Sequence, residues 1–360
     1  MPVDDPIRLT VASVAFGGAG VARHDGKVAF VPLTLPGEII DANVVQSGSR
    51  FDRAELVRVI EASPHRVTPR CKYFGTCGGC AYQHANYEAQ VAIKGAQILE
   101  TLTRLGGITE PAPLAVIAAP APFSYRNRIT VHTQGGVTGF VSRLGGTIVE
   151  IDRCEIASDE VNAELSRFLS RQPQEGHRTL RARGDDRTFS QVNPAMAAQM
   201  TKYVAAQVPE GARLLIDLYC GTGSLAEACL GGEHRTVAID WSEHNIRAAK
   251  ISPLSDRIEF ICEAADAGFE RVMVASSAAD RPCVVIVDPP REGMTGQMRK
   301  ALVCHAPERV VYVSCDPATF ARDVRELLER YEIRSIQPFD MFPQTAEVEL
   351  VAVLDAKPGH

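Results

Sequence analysis

Ten cysteines stand in this chain of 360 residues, and their spacing separates two kinds of chemistry. Cys71, Cys77 and Cys80 follow a C-x5-C-x2-C pattern, with Gly75, Gly78 and Gly79 leaving the loop able to fold around a compact object. Three thiolates from one short loop can hold three corners of a four-iron cluster, and Cys154, isolated at the end of an expected strand, is the candidate fourth ligand. Structural zinc also takes four cysteines, more often as two C-x2-C pairs. Cys315 is of the other kind. The run Val313-Ser-Cys-Asp-Pro-Ala-Thr puts it after a very apolar strand and just before a helix, whose N-terminus is expected to lower its pKa below the free value of about 8.5. A buried, inert thiol is the competing reading. Cys229, Cys262, Cys283 and Cys304 have apolar neighbours and are expected to be ordinary buried cysteines.

A thiolate at Cys315 suits methylation at carbon 5 of a pyrimidine. That carbon is too electron-poor to attack a sulfonium methyl until a thiolate adds at carbon 6 and creates an enolate. A base must then remove the carbon-5 proton so that the cysteine can leave. Glu349, at the start of the last expected strand, is suitably placed, with Glu347 the alternative on the same face.

The carboxylates around a glycine-rich turn point to the methyl donor. Asp217-Leu-Tyr-Cys-Gly-Thr-Gly-Ser224 sets glycines between a strand and a helix, where backbone can approach a ligand closely. Asp240 ends the next strand, where it can accept hydrogen bonds from a ribose diol, and Asp266, after the third strand, could contact an adenine. Asp288-Pro-Pro-Arg291 fixes an extended loop beneath a planar substrate. For Asp217 and Asp240 taken singly, a capping or solvated carboxylate is the alternative. As a set they resemble an S-adenosylmethionine-dependent methyltransferase.

These residues need elements to hold them. Residues 7–60 alternate in short strands with turn signals every eight to twelve residues, which predicts a small OB-type β-barrel. The cysteine loop follows, then an amphipathic helix from about Tyr87 to Leu105 and strands from about Phe123 to Val149. The polar stretch SRQPQEGHRTLRARGDDR reads as a surface connection. From about residue 190, strands and helices alternate, predicting a doubly wound α/β sheet with ligands at the carboxyl ends of its strands. The boundaries expected are 1–62 for the barrel, 63–185 for a central domain and 186–360 for the α/β domain.

Composition sets the outer limits. With 45% apolar and 23% charged residues, the chain is neither disordered nor fibrous. No stretch approaches the roughly 20 apolar residues of a spanning helix, and MPVDDPIRLT lacks the basic-then-apolar order of a secretory signal. A cytoplasmic protein without disulfides is expected. Residues 1–70 balance eight basic against eight acidic side chains, residues 71–200 carry thirteen against twelve, and residues 201–360 carry seventeen against twenty-four. That acidity argues mildly against nucleic acid. The 31 arginines against seven lysines suit bidentate phosphate contacts, although a coding bias gives the same count.

Several motifs together carry a specific resemblance. They are G-x-G-V-A-R-x-x-G-K-V-x-F-V and L-P-G-E in the barrel, C-x5-C-G-G-C-x-x-Q-H in the loop, then F-S-Q-V-N, D-L-Y-C-G-T-G, D-P-P-R, S-C-D-P-A-T and M-F-P-Q-T. Over nearly its whole length the chain resembles the TRAM-domain, iron–sulfur RNA uracil-5-methyltransferases, specifically those making 5-methyluridine in 23S ribosomal RNA. The resemblance implies a class I, Rossmann-like methyltransferase domain preceded by a TRAM barrel and a central α+β domain carrying a 4Fe-4S loop. It implies Cys71, Cys77, Cys80 and Cys154 as cluster ligands, Cys315 as nucleophile and Glu349 as proton acceptor. Around S-adenosylmethionine and the target base it implies Gln191, Tyr219, Ser224, Asp240, Asp266 and Asp288.

Three positions depart from the family pattern. Asp316 and Ser224 stand where asparagine is usual, and Glu347 where histidine is common. The first bears on how the base is held, and the third sets two carboxylates near each other, which would raise one pKa if both face the pocket. The partner implied is RNA, 23S ribosomal RNA in preference to transfer RNA, with the target uridine flipped out of its stack. The barrel and central domain are expected to supply much of the contact, and no membrane and no obligate protein partner are expected. A non-catalytic iron–sulfur RNA binder would have no use for Cys315, Glu349 and Asp288, and a small-molecule methyltransferase no use for the barrel.

Overall fold

The computed structural model describes residues 6–108, 115–171, 173–183 and 191–358. They form two compact units: Met1–Gln97, Ala119–Gly184 and Phe342–Glu347 make the first, while Ile98–Ala118, Asp185–Met341 and Val348–His360 make the second.

In the first unit, alternating apolar residues close six strands into one sheet: β1 (Ile7–Thr10), β2 (Ser13–Val14), β3 (Ala19–His24), β4 (Lys27–Pro32), β5 (Ile39–Ser47) and β6 (Phe51–Glu61). The order is β1-β5-β6-β4-β3-β2, antiparallel except where β4 meets β6. Leu9, Val31, Ile40 and small alanines at 22, 29, 42 and 54 fill its interior. Removing such side chains from water contributes about 25 cal/mol per Å² of apolar area. The cysteine loop follows, and helix α1 (Tyr87–Thr101) begins in this unit.

A second sheet, β7 (Arg128–Gln134), β8 (Val137–Val141), β9 (Ile148–Glu150) and β10 (Gly176–Arg181), has the order β10-β7-β8-β9. Helix α2 (Asp159–Leu169) buries Val161 and Leu165 among Ile129, Val131 and Leu180 of this sheet, and Ser158 caps its N-terminus by accepting from the Val161 N–H. Strand β10 corrects the expected surface connection: six residues of that stretch pair with β7 from Gly176 opposite Thr133 to Arg181 opposite Arg128. It is an edge strand in which only Leu180 is buried, so it lacks the apolar alternation that marks a strand.

In the second unit seven strands form one sheet: β11 (Leu214–Leu218), β12 (Arg235–Asp240), β13 (Glu259–Cys262), β14 (Cys283–Val287), β15 (Arg309–Ser314), β16 (Tyr331–Phe339) and β17 (Glu349–Ala356). The order is β13-β12-β11-β14-β15-β17-β16, parallel except for β17, which runs antiparallel to both neighbours. Strands such as LLIDL and CVVIV are buried throughout because helices cover both faces. These helices are α3 (Pro194–Ala205), α4 (Ser224–Ala228), α5 (Glu243–Ala249), α6 (Ala265–Ala275), α7 (Gly296–His305) and α8 (Pro317–Leu327). Strand order reverses at β11, which opens a crevice at its carboxyl end. The α1 helix runs on past Thr101 as a π-helical turn, Leu102–Gly106, with Leu102 in the core.

Two cysteine expectations need correcting. Cys229 and Cys283 are buried, but Cys262, last in edge strand β13, and Cys304, on the outer face of α7, are exposed. Among the described residues no helix is long and apolar enough to cross a membrane.

Candidate active site

The turn after β11 is held by two carboxylates. Asp217 is wholly buried and accepts the Ala226 N–H at 3.0 Å through Oδ2, while its Oδ1 is buried without a partner. Burial pushes its carboxyl up to about 8, and the charges of Asp288 and Asp240 add to the shift. Asp240 accepts the Gly221 N–H at 3.0 Å, the Ser242 N–H at 2.8 Å and the Asn245 amide at 3.3 Å. The turn needs its glycines: Gly223 has φ +83°, and a Cβ there would lie 2.9 Å from the Phe260 ring. Tyr219 takes φ +61° despite its side chain.

The other expected cofactor contacts surround this turn. Tyr219 has its hydroxyl pKa pushed up to about 12 by burial, with the Asp266 and Asp323 charges adding. Asp266 accepts its helix's Ala267 N–H at 2.9 Å and the Thr295 hydroxyl at 3.4 Å. Gln191 and the exposed Ser224 line one depression together with Thr201 and Lys202 of α3. Phe189 and Ser190 of the F-S-Q-V-N motif lie outside the described residues. Asn193 caps α3 by accepting the Met196 N–H at 3.3 Å and donates to the Met341 carbonyl. The unpartnered Asp217 oxygen and the close backbone approach at Gly221 and Gly223 suit a polar cofactor such as S-adenosylmethionine.

Beside the turn, three strand ends gather a nucleophile, a base and a substrate-facing loop. Ser314 of β15 pairs with Leu350 of β17, so the next residues along the ladder, Cys315 and Glu349, stand opposite each other. Glu349 is 5% exposed. Asp288 follows β14, and burial raises its carboxyl pKa to about 7. Burial raises the Cys315 thiol to about 11; Glu349 and Asp288 push it up further, while Arg291 pulls it down.

That direction is opposite to the lowering expected from the helix N-terminus. The donors there are already taken: Asp316 caps α8, its Oδ1 accepting the Ala318 and Thr319 N–H groups at 2.9 Å each. Helix capping is thus the role visible for Asp316. The structure also adds Arg291, quoted in the D-P-P-R motif but given no role there, as the cation acting on the thiol.

Glu347 does not share an element with Glu349. It ends the 342–347 segment of the first unit, where its carbonyl accepts from Lys94 at 2.8 Å. Lys94 is 1% exposed and also donates to the Phe342 carbonyl at 3.0 Å. An amphipathic pattern gives no sign of a buried lysine, because its partners lie some 250 positions away in the chain.

The four expected cluster cysteines share one neighbourhood in the first unit. Burial pushes the Cys80 thiol up to about 12, with Cys154, Cys77 and Cys71 adding to the shift. The Gln83 amide donates to the Cys80 sulfur at 3.3 Å, and the Gly79 N–H to the Cys77 sulfur at 3.4 Å. Gln83 also accepts the Cys71 N–H at 3.0 Å. Among the described residues, no group of three or more His, Cys, Asp or Glu side chains has the spacing to hold a metal ion.

Comparison with known proteins places these features. Residues 165–357 match the tRNA (uracil-5-)-methyltransferase family and residues 6–57 the TRAM domain. An uncharacterised RNA methyltransferase of Halalkalibacterium halodurans is 30% identical, over 98% of this chain and 98% of that protein. One from Bdellovibrio bacteriovorus is also 30% identical, over 97% and 94%. The crystal structure of Pyrococcus abyssi tRNA (uracil-54, C5)-methyltransferase in complex with S-adenosyl-L-homocysteine superposes with a TM-score of 0.72 at 25% identity, covering 97% of this chain and all of that one. With a full-length match, a TRAM barrel and a methyltransferase sheet, the chain belongs to the tRNA (uracil-5-)-methyltransferase family and is an S-adenosylmethionine-dependent enzyme that methylates uracil in RNA.

Proposed function

We propose that the protein methylates carbon 5 of one uridine in 23S ribosomal RNA through a covalent adduct on Cys315. The observation that carries this reading is the opposition of Cys315 and Glu349 at the ends of β15 and β17, with Asp288 and Arg291 acting on the thiol. The Cys315 thiolate adds to carbon 6 of the uracil, so that the pair of electrons moves to carbon 5 and its carbonyl. S-adenosylmethionine supplies an electrophilic methyl for that carbon. Glu349 then takes the carbon-5 proton, the carbon 5–carbon 6 double bond reforms, and the Cys315–carbon 6 bond breaks. Gln191, Tyr219, Ser224, Asp240 and Asp266 hold the methyl donor, and Asp288 faces the base and donor.

A 4Fe-4S cluster on Cys71, Cys77, Cys80 and Cys154 belongs to the same reading. Its support is the all-thiol donor set and the N–H groups aimed at two of the sulfurs, a contact that tunes such clusters. Work on RNA would take place in the cytoplasm.

The similarity to an archaeal enzyme whose name specifies uracil 54 of tRNA favours a second reading, the same reaction on transfer RNA. One experiment separates the two. Anaerobically purified protein is incubated with S-adenosylmethionine and, separately, unmodified 23S ribosomal RNA or transfer RNA, and nucleosides are quantified by mass spectrometry. New 5-methyluridine in the ribosomal RNA, absent with Cys315→Ala, is expected. Product only in transfer RNA keeps the chemistry and overturns the substrate, and product from Cys315→Ala overturns the mechanism.

A further inference from the structure

Within the first unit a groove of roughly 570 Å³ runs between the barrel and the cysteine loop. Phe16, Phe51 and Leu144 line it beside Arg53 and Arg143. Phe16 is 46% exposed, Phe51 41% and Leu144 74%, a concentration of apolar surface unusual outside binding sites.

The walls of this groove are firmly built. The Phe30 ring meets that of Phe51 edge-on, with centroids 5.6 Å apart and planes at 73°. In the parallel pairing of β4 with β6, Val28 lies opposite Phe51 and Phe30 opposite Arg53, so two hydrogen-bonded strands support the platform. On the facing side, the Arg143 Nε donates to the Gly75 carbonyl at 3.0 Å, and its backbone N–H to the Thr76 carbonyl at 2.8 Å. Gly18, at φ +94°, lets the barrel loop come so near the cysteine loop that a Cβ would lie 2.8 Å from that of Ala81.

Two features select the occupant. Exposed aromatic faces on a rigid sheet are stacking platforms for unpaired bases. The Arg53 guanidinium stands 6.0 Å from the Phe51 ring centroid, and among the described residues no carboxylate forms an ion pair with it, which suits a phosphate beside a stacked base. We propose that this groove receives an unstacked nucleotide of the RNA substrate other than the methylated uridine, its base on Phe16 and Phe51 and its phosphate on Arg53. The proposal rests on the RNA-methyltransferase reading and adds a specificity site remote in sequence from Cys315.

The test measures RNA affinity by filter binding with unmodified 23S ribosomal RNA fragments and transfer RNA, for wild type, Phe16→Ala, Phe51→Ala, Phe51→Trp and Arg53→Ala. S-adenosylhomocysteine affinity and melting temperature establish that each variant is folded. Both alanine variants at the phenylalanines are expected to weaken binding of the cognate RNA about tenfold, the range of one base–aromatic stack, while Phe51→Trp retains it. Arg53→Ala should reduce the slope of log affinity against log salt by about 0.7, one phosphate of a single strand. At saturating RNA the rate of 5-methyluridine formation should be unchanged, so the effect falls on KM alone. Folded phenylalanine variants that bind both RNAs like wild type overturn the proposal, as does a change in self-association without a change in RNA affinity. Wild-type protein that binds RNA through these residues but forms no 5-methyluridine sinks the proposed reaction and leaves the groove standing. Wild-type protein that binds neither RNA overturns both.

Discussion

Cys315 and Glu349 stand opposite each other, one step beyond the Ser314–Leu350 pair that closes the antiparallel ladder of β15 and β17. The pairing joins residues 34 positions apart and puts a nucleophile and a base on adjacent strand ends, where neither can drift without breaking ladder hydrogen bonds. Removing the base alone should therefore leave thiol addition and methyl transfer intact and block only the release step. Glu349→Gln is expected to accumulate a covalent protein–RNA species that survives denaturing electrophoresis and forms only with S-adenosylmethionine present. Cys315→Ala should form none. A Glu349→Gln enzyme that turns over at the wild-type rate would remove Glu349 from the mechanism.

The charge on the Cys315 thiol follows from its neighbours. With its pKa raised to about 11 by burial and by Glu349 and Asp288, the free protein holds it almost wholly protonated at neutral pH. Only the thiolate reacts, so alkylation of Cys315 by iodoacetamide should quicken about tenfold per pH unit between pH 7 and 10. Two substitutions should move the rate in opposite directions at any one pH. Arg291→Gln removes the charge that favours the thiolate and slows alkylation, and Glu349→Gln removes one that opposes it and speeds alkylation. Mass spectrometry of the modified peptide reads the rates, and a rate flat with pH would contradict the raised pKa.

How much of this site the sequence discloses depends on the range of each interaction. Asp217, Asp240, Asp288 and Cys315 each follow a short apolar run, so their places at strand ends are local facts. The order of those strands, and above all the antiparallel return of β17 between β15 and β16, comes from pairings across the chain. That return makes Glu349 the partner of Cys315. The direction of the thiol shift was hidden for the same reason: no local pattern shows that Asp316 takes the helix N-terminal donors or that two carboxylates converge. Strand β10 escaped because an exposed edge strand has no apolar rhythm, and buried Lys94 because its acceptors are carbonyls far along the chain.

Asp217 makes folding stability depend on pH. Its carboxyl is raised to about 8 in the folded chain, against roughly 3.9 in an unfolded one. A carboxyl raised on folding favours the native state fully below its unfolded pKa, and that contribution is lost as pH climbs through the folded value. Asn at this position keeps an oxygen for the Ala226 N–H and cannot ionise. The melting temperature of Asp217→Asn relative to wild type should therefore rise steadily from pH 5 to pH 8, whatever the offset at pH 5. A constant difference across that range would show that Asp217 is ionised in the fold.

Asp323 carries the largest stability expectation. It is wholly buried, and its two oxygens accept from the Met294 N–H and the Tyr312 hydroxyl at 2.8 Å each, Arg299 Nη1 at 3.1 Å and Arg322 Nε at 2.9 Å. Those partners come from the loop after Asp288-Pro-Pro-Arg291, from β15, from α7 and from α8. Gly293 passes so close that a Cβ there would lie 2.5 Å from Asp323. Breaking a buried pair from one side leaves the other charge uncompensated and costs about 3–5 kcal/mol, which in a domain of this size lowers the melting temperature by roughly 10 °C. Asp323→Asn should show that loss. Asp159→Asn is the control, because Asp159 is 83% exposed and faces Arg153 at 2.9 Å in solvent, where such a pair is worth about 0–1 kcal/mol. The two variants differ by one atom type at similar ion-pair distances, so equal melting temperatures would mean that burial does not strengthen the Asp323 network and that the loop bearing Arg291 is held by something else.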